Sequence, residues 1–188
     1  MSRAQRLSVV LLLNLALVAG LIVVGITAHS VAVFAEGGDY LLDAAAVGVA
    51  LLAAGTVAAL VNAGWLLALQ LLVAGVAVYR LVAGPPAVDG LPVLVVSGIA
   101  AVVMGIAALV LRGDDDDEDL SVKAVLLDTV ADSAAAAGVA VTGAVILAAR
   151  GWYWLDPAVA LAIAVVVAYH VFRLIRKVLR KDVVNESA

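Results

Sequence analysis

Two pairs of aspartates lie inside otherwise apolar stretches of this sequence. Asp39 and Asp43 form one pair, and Asp128 and Asp132 form the other, each spaced i, i+4. On a helix this spacing places two side chains on one face, about one turn apart. If two such helices faced each other, their four carboxylates could not all stay ionised in a low dielectric without a cation or protons. Because oxygen ligands of this kind bind divalent metals, the sequence predicts a metal site at these four residues.

The elements that carry the aspartates are predicted to be transmembrane helices. Of the 188 residues, 66% are hydrophobic, and the mean hydropathy is +1.20. Soluble domains are about half apolar, and a chain of this length cannot bury such an excess. Aromatic residues make up only 5%, which argues against a β-barrel with aromatic girdles. We therefore expect an all-α polytopic membrane protein, a bundle of six transmembrane helices. The absence of cysteine excludes thiolate ligands.

The apolar sequence is sufficient for six spans, each of which needs about 20 residues, although a turn at Ala54-Gly55-Thr56 leaves the second span short. Glu36-Gly37-Gly38 is interpreted as the first turn. The second turn has two competing placements, Ala54-Gly55-Thr56 and Asn62-Ala63-Gly64. We expect one membrane domain at 1–181 and a short tail at 182–188, with spans at about 7–34, 38–54, 57–84, 91–112, 122–149 and 155–178.

The basic residues predict the orientation of the bundle. With six spans, nine of the 11 Lys and Arg residues fall on one side, and only Arg80 and Arg150 fall on the other. The positive-inside rule then places both termini in the cytoplasm, together with an acidic loop at 113–121. We expect a multi-pass protein of the plasma membrane.

Helix capping is the alternative explanation for an acidic residue near a helix end. It is plausible for Asp39, which follows Gly37-Gly38, but Asp43 lies a turn deeper. The second aspartate pair lies beyond the first turn of its predicted helix, so capping accounts for at most one of the four. Asp156 is a different case: it precedes Pro157 and is predicted to N-cap the sixth helix.

At these residues the chain resembles the cation diffusion facilitator family of zinc and related divalent metal transporters. Residues 29–43, from His29 to Asp43, resemble the end of helix 1 and the start of helix 2 in that family, where the second helix carries His or Asp, three residues, and then Asp. Residues 127–133 resemble the matching pair on helix 5, and residues 151–158 resemble the entry to helix 6. Residues 59–62 and 80–85 resemble parts of helix 3.

The resemblance implies a homodimer that exports a metal ion by proton antiport with alternating access, and not an enzyme. Helices 2 and 5 would hold the ion, the transported substrate being Zn²⁺ first. Asp128 stands where many zinc members have His, and an all-carboxylate site is harder, so Mn²⁺, Fe²⁺, Co²⁺ and Cd²⁺ stay open. The expected partners are the metal ion, protons, the lipid bilayer and a second copy of the chain. No organic cofactor and no nucleic acid are expected.

Two departures from the family keep other functions open. Members usually continue into a soluble cytoplasmic domain, whereas this sequence stops at Ala188, and the polar loop between helices 2 and 3 is short. A non-transporting metal-binding scaffold or subunit is therefore one alternative. An intramembrane aspartyl protease, which also needs paired aspartates, is a weaker one, since its Tyr-Asp and Gly-x-Gly-Asp patterns do not occur.

Overall fold

Six α-helices and no strand make up the part of the chain that the computed structural model describes, residues 3–52, 56–112 and 120–186. This confirms the all-α prediction and the number of helices. The helices are α1 (Arg3–Thr27), α2 (Val31–Leu52), α3 (Thr56–Ala83), α4 (Gly90–Leu111), α5 (Leu120–Ala149) and α6 (Leu155–Glu186). The sixth helix thus continues beyond the predicted end of its span at residue 178, and most of the predicted acidic loop lies outside the described residues.

Length and apolar composition identify membrane-crossing segments within this bundle. Gly90–Val110, Thr129–Ala149 and Leu155–Arg173 are each long and apolar enough to span a bilayer. Shorter apolar stretches, Leu11–Thr27 and Leu67–Ala83, lie in α1 and α3. The second helix differs because acidic residues interrupt its apolar sequence at three positions. The whole is a helical membrane protein, as the composition predicted.

The turn between α1 and α2 lies earlier in the chain than the sequence suggested. The first helix ends at Thr27 and the second begins at Val31, so Glu36-Gly37-Gly38 is helical and the prediction of a turn there is wrong. His29 instead occupies the turn, with a positive φ of 57°. The two glycines mark close packing rather than a turn: a Cβ on Gly37 would lie 3.3 Å from the Cβ of Leu21 in α1.

The structure excludes the later of the two placements for the second turn. The third helix runs without a break from Thr56 to Ala83, so a turn at Asn62-Ala63-Gly64 is wrong. Residues 53–55, which connect α2 to α3, lie outside the described residues. The third helix ends at Ala83, just before Gly84-Pro85-Pro86, because proline cannot donate the next backbone hydrogen bond.

Helix α2, which carries Asp39 and Asp43, lies at the centre of the helices that surround these aspartates. It packs against α1, α3, α5 and α6, while α4 packs most extensively on α5. Glycines allow the α4–α5 contact to be made by backbone. A Cβ on Gly143 would lie 2.5 Å from the amide nitrogen of Leu94 and 2.8 Å from the carbonyl oxygen of Gly90. Because four helices pack on α2, its acidic part does not face lipid on all sides.

Candidate metal centre

The N-terminus of α2 is held by a carboxylate from another helix. Ser30 Oγ accepts a hydrogen bond from the amide of Val33 (3.1 Å), which is the usual N-cap arrangement, and donates one to Asp156 Oδ1. The Asp156 carboxylate also accepts from the amides of Val31 (2.8 Å) and Ala32 (3.2 Å). These bonds satisfy amides that a helix start leaves without partners. They fix the height and rotation of the helix that carries Asp39 and Asp43.

Asp156 was predicted to cap its own helix, and that prediction is wrong. The residue is the second in α6, is fully buried, and directs its oxygens at the start of α2. Arg80 at the end of α3 completes the arrangement: its Nη1 lies 3.9 Å from Asp156 Oδ2 and donates to the carbonyl of His29. Three helices are therefore joined at one end of the bundle through a single carboxylate.

Asp39, Asp43 and Asp132 come together between α2 and α5. One carboxylate oxygen from each can be chosen so that all three lie within 4.8 Å of one another. Asp132 is buried, at 7% exposure, and the two α2 aspartates are half-buried. Two oxygens bound to one ion at about 2.1 Å can be at most roughly 4.2 Å apart. A small side-chain rotation would thus allow all three carboxylates to reach a common ion.

Asp128 is the fourth predicted ligand, and its side chain lies outside what the structure describes. Its backbone belongs to α5, one helical turn before Asp132. Its part in the site stays a prediction. His29, by comparison, is exposed in the α1–α2 turn and is not a member of the acidic group.

A buried glutamate near the aspartates escaped the sequence reasoning. Glu36 is only 2% exposed and accepts a hydrogen bond at Oε2 from Ser97 of α4 (2.6 Å). The sequence carried a usable signal, because Glu36, Asp39 and Asp43 are spaced i, i+3, i+7 and share one helix face. Because residues 36–38 were interpreted as a turn, Glu36 was not assigned to the helix face that carries Asp39 and Asp43.

The cluster of acidic groups determines which ions this part of the protein is suited to bind. An acidic side chain in the middle of a bilayer is unfavourable by about 2.5–3.5 kcal/mol on insertion scales. Neighbouring carboxylates raise each other's preference for a bound cation or a proton. The arrangement is suited to holding a divalent cation and to exchanging it for protons, since both compete for the same oxygens.

Comparison with known proteins agrees with this chemistry. The family model described as the cation efflux transmembrane domain matches residues 7–181. Two curated proteins, each called zinc transporter ZitB, are similar: one from Yersinia pseudotuberculosis serotype I (strain IP32953) and one from Yersinia pestis. Each is 28% identical over 167 residues, which covers 79% of this chain and 53% of the relative. The chain therefore spans about half the length of the curated relatives it matches. Since the family model covers nearly the whole sequence, the chain belongs to the cation efflux family of membrane proteins.

Proposed function

We propose that this chain carries a divalent metal ion, Zn²⁺ first, out of the cell through a site made of Asp39, Asp43, Asp128 and Asp132. The observation that carries the proposal is the convergence of three carboxylates from α2 and α5, with ligand oxygens within 4.8 Å of one another. Membership of the cation efflux family and the similarity to proteins named as zinc transporters also support metal transport as the function. The three described ligands are all carboxylates, a hard set that would also accept Mn²⁺, Fe²⁺, Co²⁺ or Cd²⁺.

The transport cycle follows from competition for these oxygens. Metal binding requires the carboxylates to be deprotonated, and protons from the opposite side would release the metal. Alternating exposure of one such site to the two sides of the membrane gives proton antiport. We place the protein in the plasma membrane, with both termini in the cytoplasm as the distribution of Lys and Arg predicts, and as a homodimer.

The test is Zn²⁺ flux into proteoliposomes that contain the purified full chain and a Zn²⁺-sensitive dye. Asp43→Asn and Asp132→Asn keep the side-chain shape but remove the charge, so uptake should fall to the level of protein-free vesicles. Asp89→Asn is the matched control, because Asp89 is an exposed N-cap of α4 and asparagine also caps helices. Asp128→Asn tests the fourth ligand separately.

A second readout tests whether Zn²⁺ flux is coupled to proton antiport. A pH-sensitive dye inside the vesicles should report proton movement opposite to Zn²⁺ and dependent on it. Wild-type flux in both Asp43→Asn and Asp132→Asn would refute the site. Tight Zn²⁺ binding without flux in the wild-type chain would instead support the non-transporting metal-binding subunit.

A further inference from the structure

Two buried oxygen-bearing side chains next to the aspartate cluster have unused bonding capacity. Glu36 and Tyr40 are 2% and 1% exposed. Ser97 occupies one glutamate oxygen, Oε2, whereas Oε1 has no hydrogen-bond partner within the described part of the chain. The Tyr40 hydroxyl likewise has none among the described residues. A buried polar group left without a partner is unfavourable by roughly 1–3 kcal/mol.

The position of Tyr40 connects these two side chains to the proposed metal site. Its hydroxyl interacts electrostatically with four carboxylates, those of Glu36, Asp39, Asp43 and Asp132. It is therefore close enough to interact both with Glu36 and with the three aspartates. Glu36 also interacts electrostatically with Asp39. The spacing i, i+4, i+7 of residues 36, 40 and 43 places them on one face of α2.

We propose that Glu36 and Tyr40 form a second position for the divalent cation, about one helical turn from the aspartate cluster toward the α1–α2 turn. This inference rests on the proposed function, because the occupant is the same ion. A buried carboxylate oxygen without a hydrogen-bond partner is stabilised by a cation or a proton. A divalent ion that leaves the aspartates along α2 in this direction meets the Glu36 oxygen next.

Each side chain has a separate part in this second position. Glu36 Oε1 binds the ion, and the bond from Ser97 to Oε2 fixes the orientation of the carboxylate, as partners of metal ligands generally do. The Tyr40 hydroxyl is a neutral donor and acceptor, suited to a water molecule on the ion or to a carboxylate that binds it. The charge on Glu36 makes it the stronger of the two determinants.

Equilibrium binding of radioactive Zn²⁺ to the purified full chain in nanodiscs tests the inference. The wild-type chain should bind one tight ion and one weaker ion. Glu36→Gln keeps the side-chain shape and an acceptor for Ser97; it should retain the tight ion and lose the weaker one. Tyr40→Phe removes only the hydroxyl and should weaken the second ion about tenfold, the effect of one hydrogen bond in this environment. In proteoliposomes, Glu36→Gln should lower kcat for Zn²⁺ and leave KM unchanged.

The outcomes separate this inference from the proposed function. Loss of the tight ion in Asp43→Asn supports the aspartate site, and its retention refutes that site whatever Glu36 does. Wild-type binding isotherms for Glu36→Gln and Tyr40→Phe refute the second position alone. Loss of the tight ion in a folded Glu36→Gln protein would also refute it, because Glu36 would then belong to the first position. If Glu36→Gln does not fold, the Tyr40→Phe binding isotherm decides whether the second position exists. Asp89→Asn is then the control for purification and reconstitution.

Discussion

Replacing Asp156 by alanine should destabilise the bundle more than its place at the start of α6 suggests. The carboxylate accepts hydrogen bonds from Ser30 Oγ and from the amides of Val31 and Ala32, and it faces Arg80. Alanine leaves the two amides and the hydroxyl without their acceptor, in a place where Asp156 itself has no exposed surface. The effect should therefore spread to α2 and α3, not only to α6.

The magnitude follows from the number and type of bonds lost. A hydrogen bond to a charged group contributes about 1.5–3 kcal/mol, so three of them set an upper bound of roughly 5–9 kcal/mol. The true loss is smaller, because the turn can relax and because Arg80, at 20% exposure, can turn toward water when its partner is gone. Breaking a buried charge network typically reduces the free energy of unfolding by about 3–5 kcal/mol. For a chain of this size that corresponds to a Tm lower by on the order of 10 °C.

Thermal unfolding in detergent, followed by the fluorescence of the three tryptophans, measures this effect. Asp156→Asn is the matched comparison: it keeps the shape and one acceptor oxygen, so its Tm should lie between those of the wild type and the alanine variant. Arg80→Ala should have a smaller effect than Asp156→Ala, since it leaves the amide bonds intact. A Tm for Asp156→Ala close to that of the wild type would show that this carboxylate does not hold α2 in place.

Two substitutions at glycines test the packing around the site. Gly143→Ala should lower the Tm by several degrees, because the new Cβ would meet the backbone nitrogen of Leu94 at 2.5 Å. Gly138→Ala, with nothing within 4 Å of the new Cβ, should leave the Tm unchanged or raise it slightly, because alanine has the better helix propensity. Equal effects in the two variants would contradict close α4–α5 contact. Gly38→Ala meets only the flexible end of Gln70, at 2.7 Å, and should reduce the free energy of unfolding by about 1 kcal/mol in the same assay. Gln70→Ala removes a buried hydrogen bond to the carbonyl of Ala35 and is destabilising by itself, but Gly38→Ala should have a smaller effect in that background than in the wild type. An equal effect of Gly38→Ala in the two backgrounds would show that Gln70 is not the side chain displaced.

The aspartates could be recognised from sequence because intramembrane charge is rare and helix geometry is regular. Asp39 and Asp43 had to share a face once the segment was taken as a helix, and so did Asp128 and Asp132. Periodicity alone does not say whether two helices turn their acidic faces toward each other. The structure answers this for Asp39, Asp43 and Asp132, whose oxygens converge. Asp128 keeps the status of a prediction.

The capping role of Asp156 could not be read in the same way. Local pattern favours a cap for the helix in which the aspartate itself lies, and the sequence Asp156-Pro157 fits that pattern well. The acceptor oxygens are used instead by amides 124 and 125 positions earlier in the chain. No local rule contains that information, because it depends on how α6 packs against α2.

The misplaced first turn has a larger consequence than a shift of a few residues. Two adjacent glycines favour a turn in water, but in a membrane they also permit close helix packing, here against Leu21 of α1 and Gln70 of α3. Once Glu36-Gly37-Gly38 is helical, Glu36 moves from a solvated turn to the same face as Asp43 and becomes a buried carboxylate with a partner on α4. The glycines and the glutamate are therefore parts of one arrangement. The glycines bring α1 and α3 close to α2, and Glu36, on the same helical segment, is buried with Ser97 of α4 as its hydrogen-bond partner.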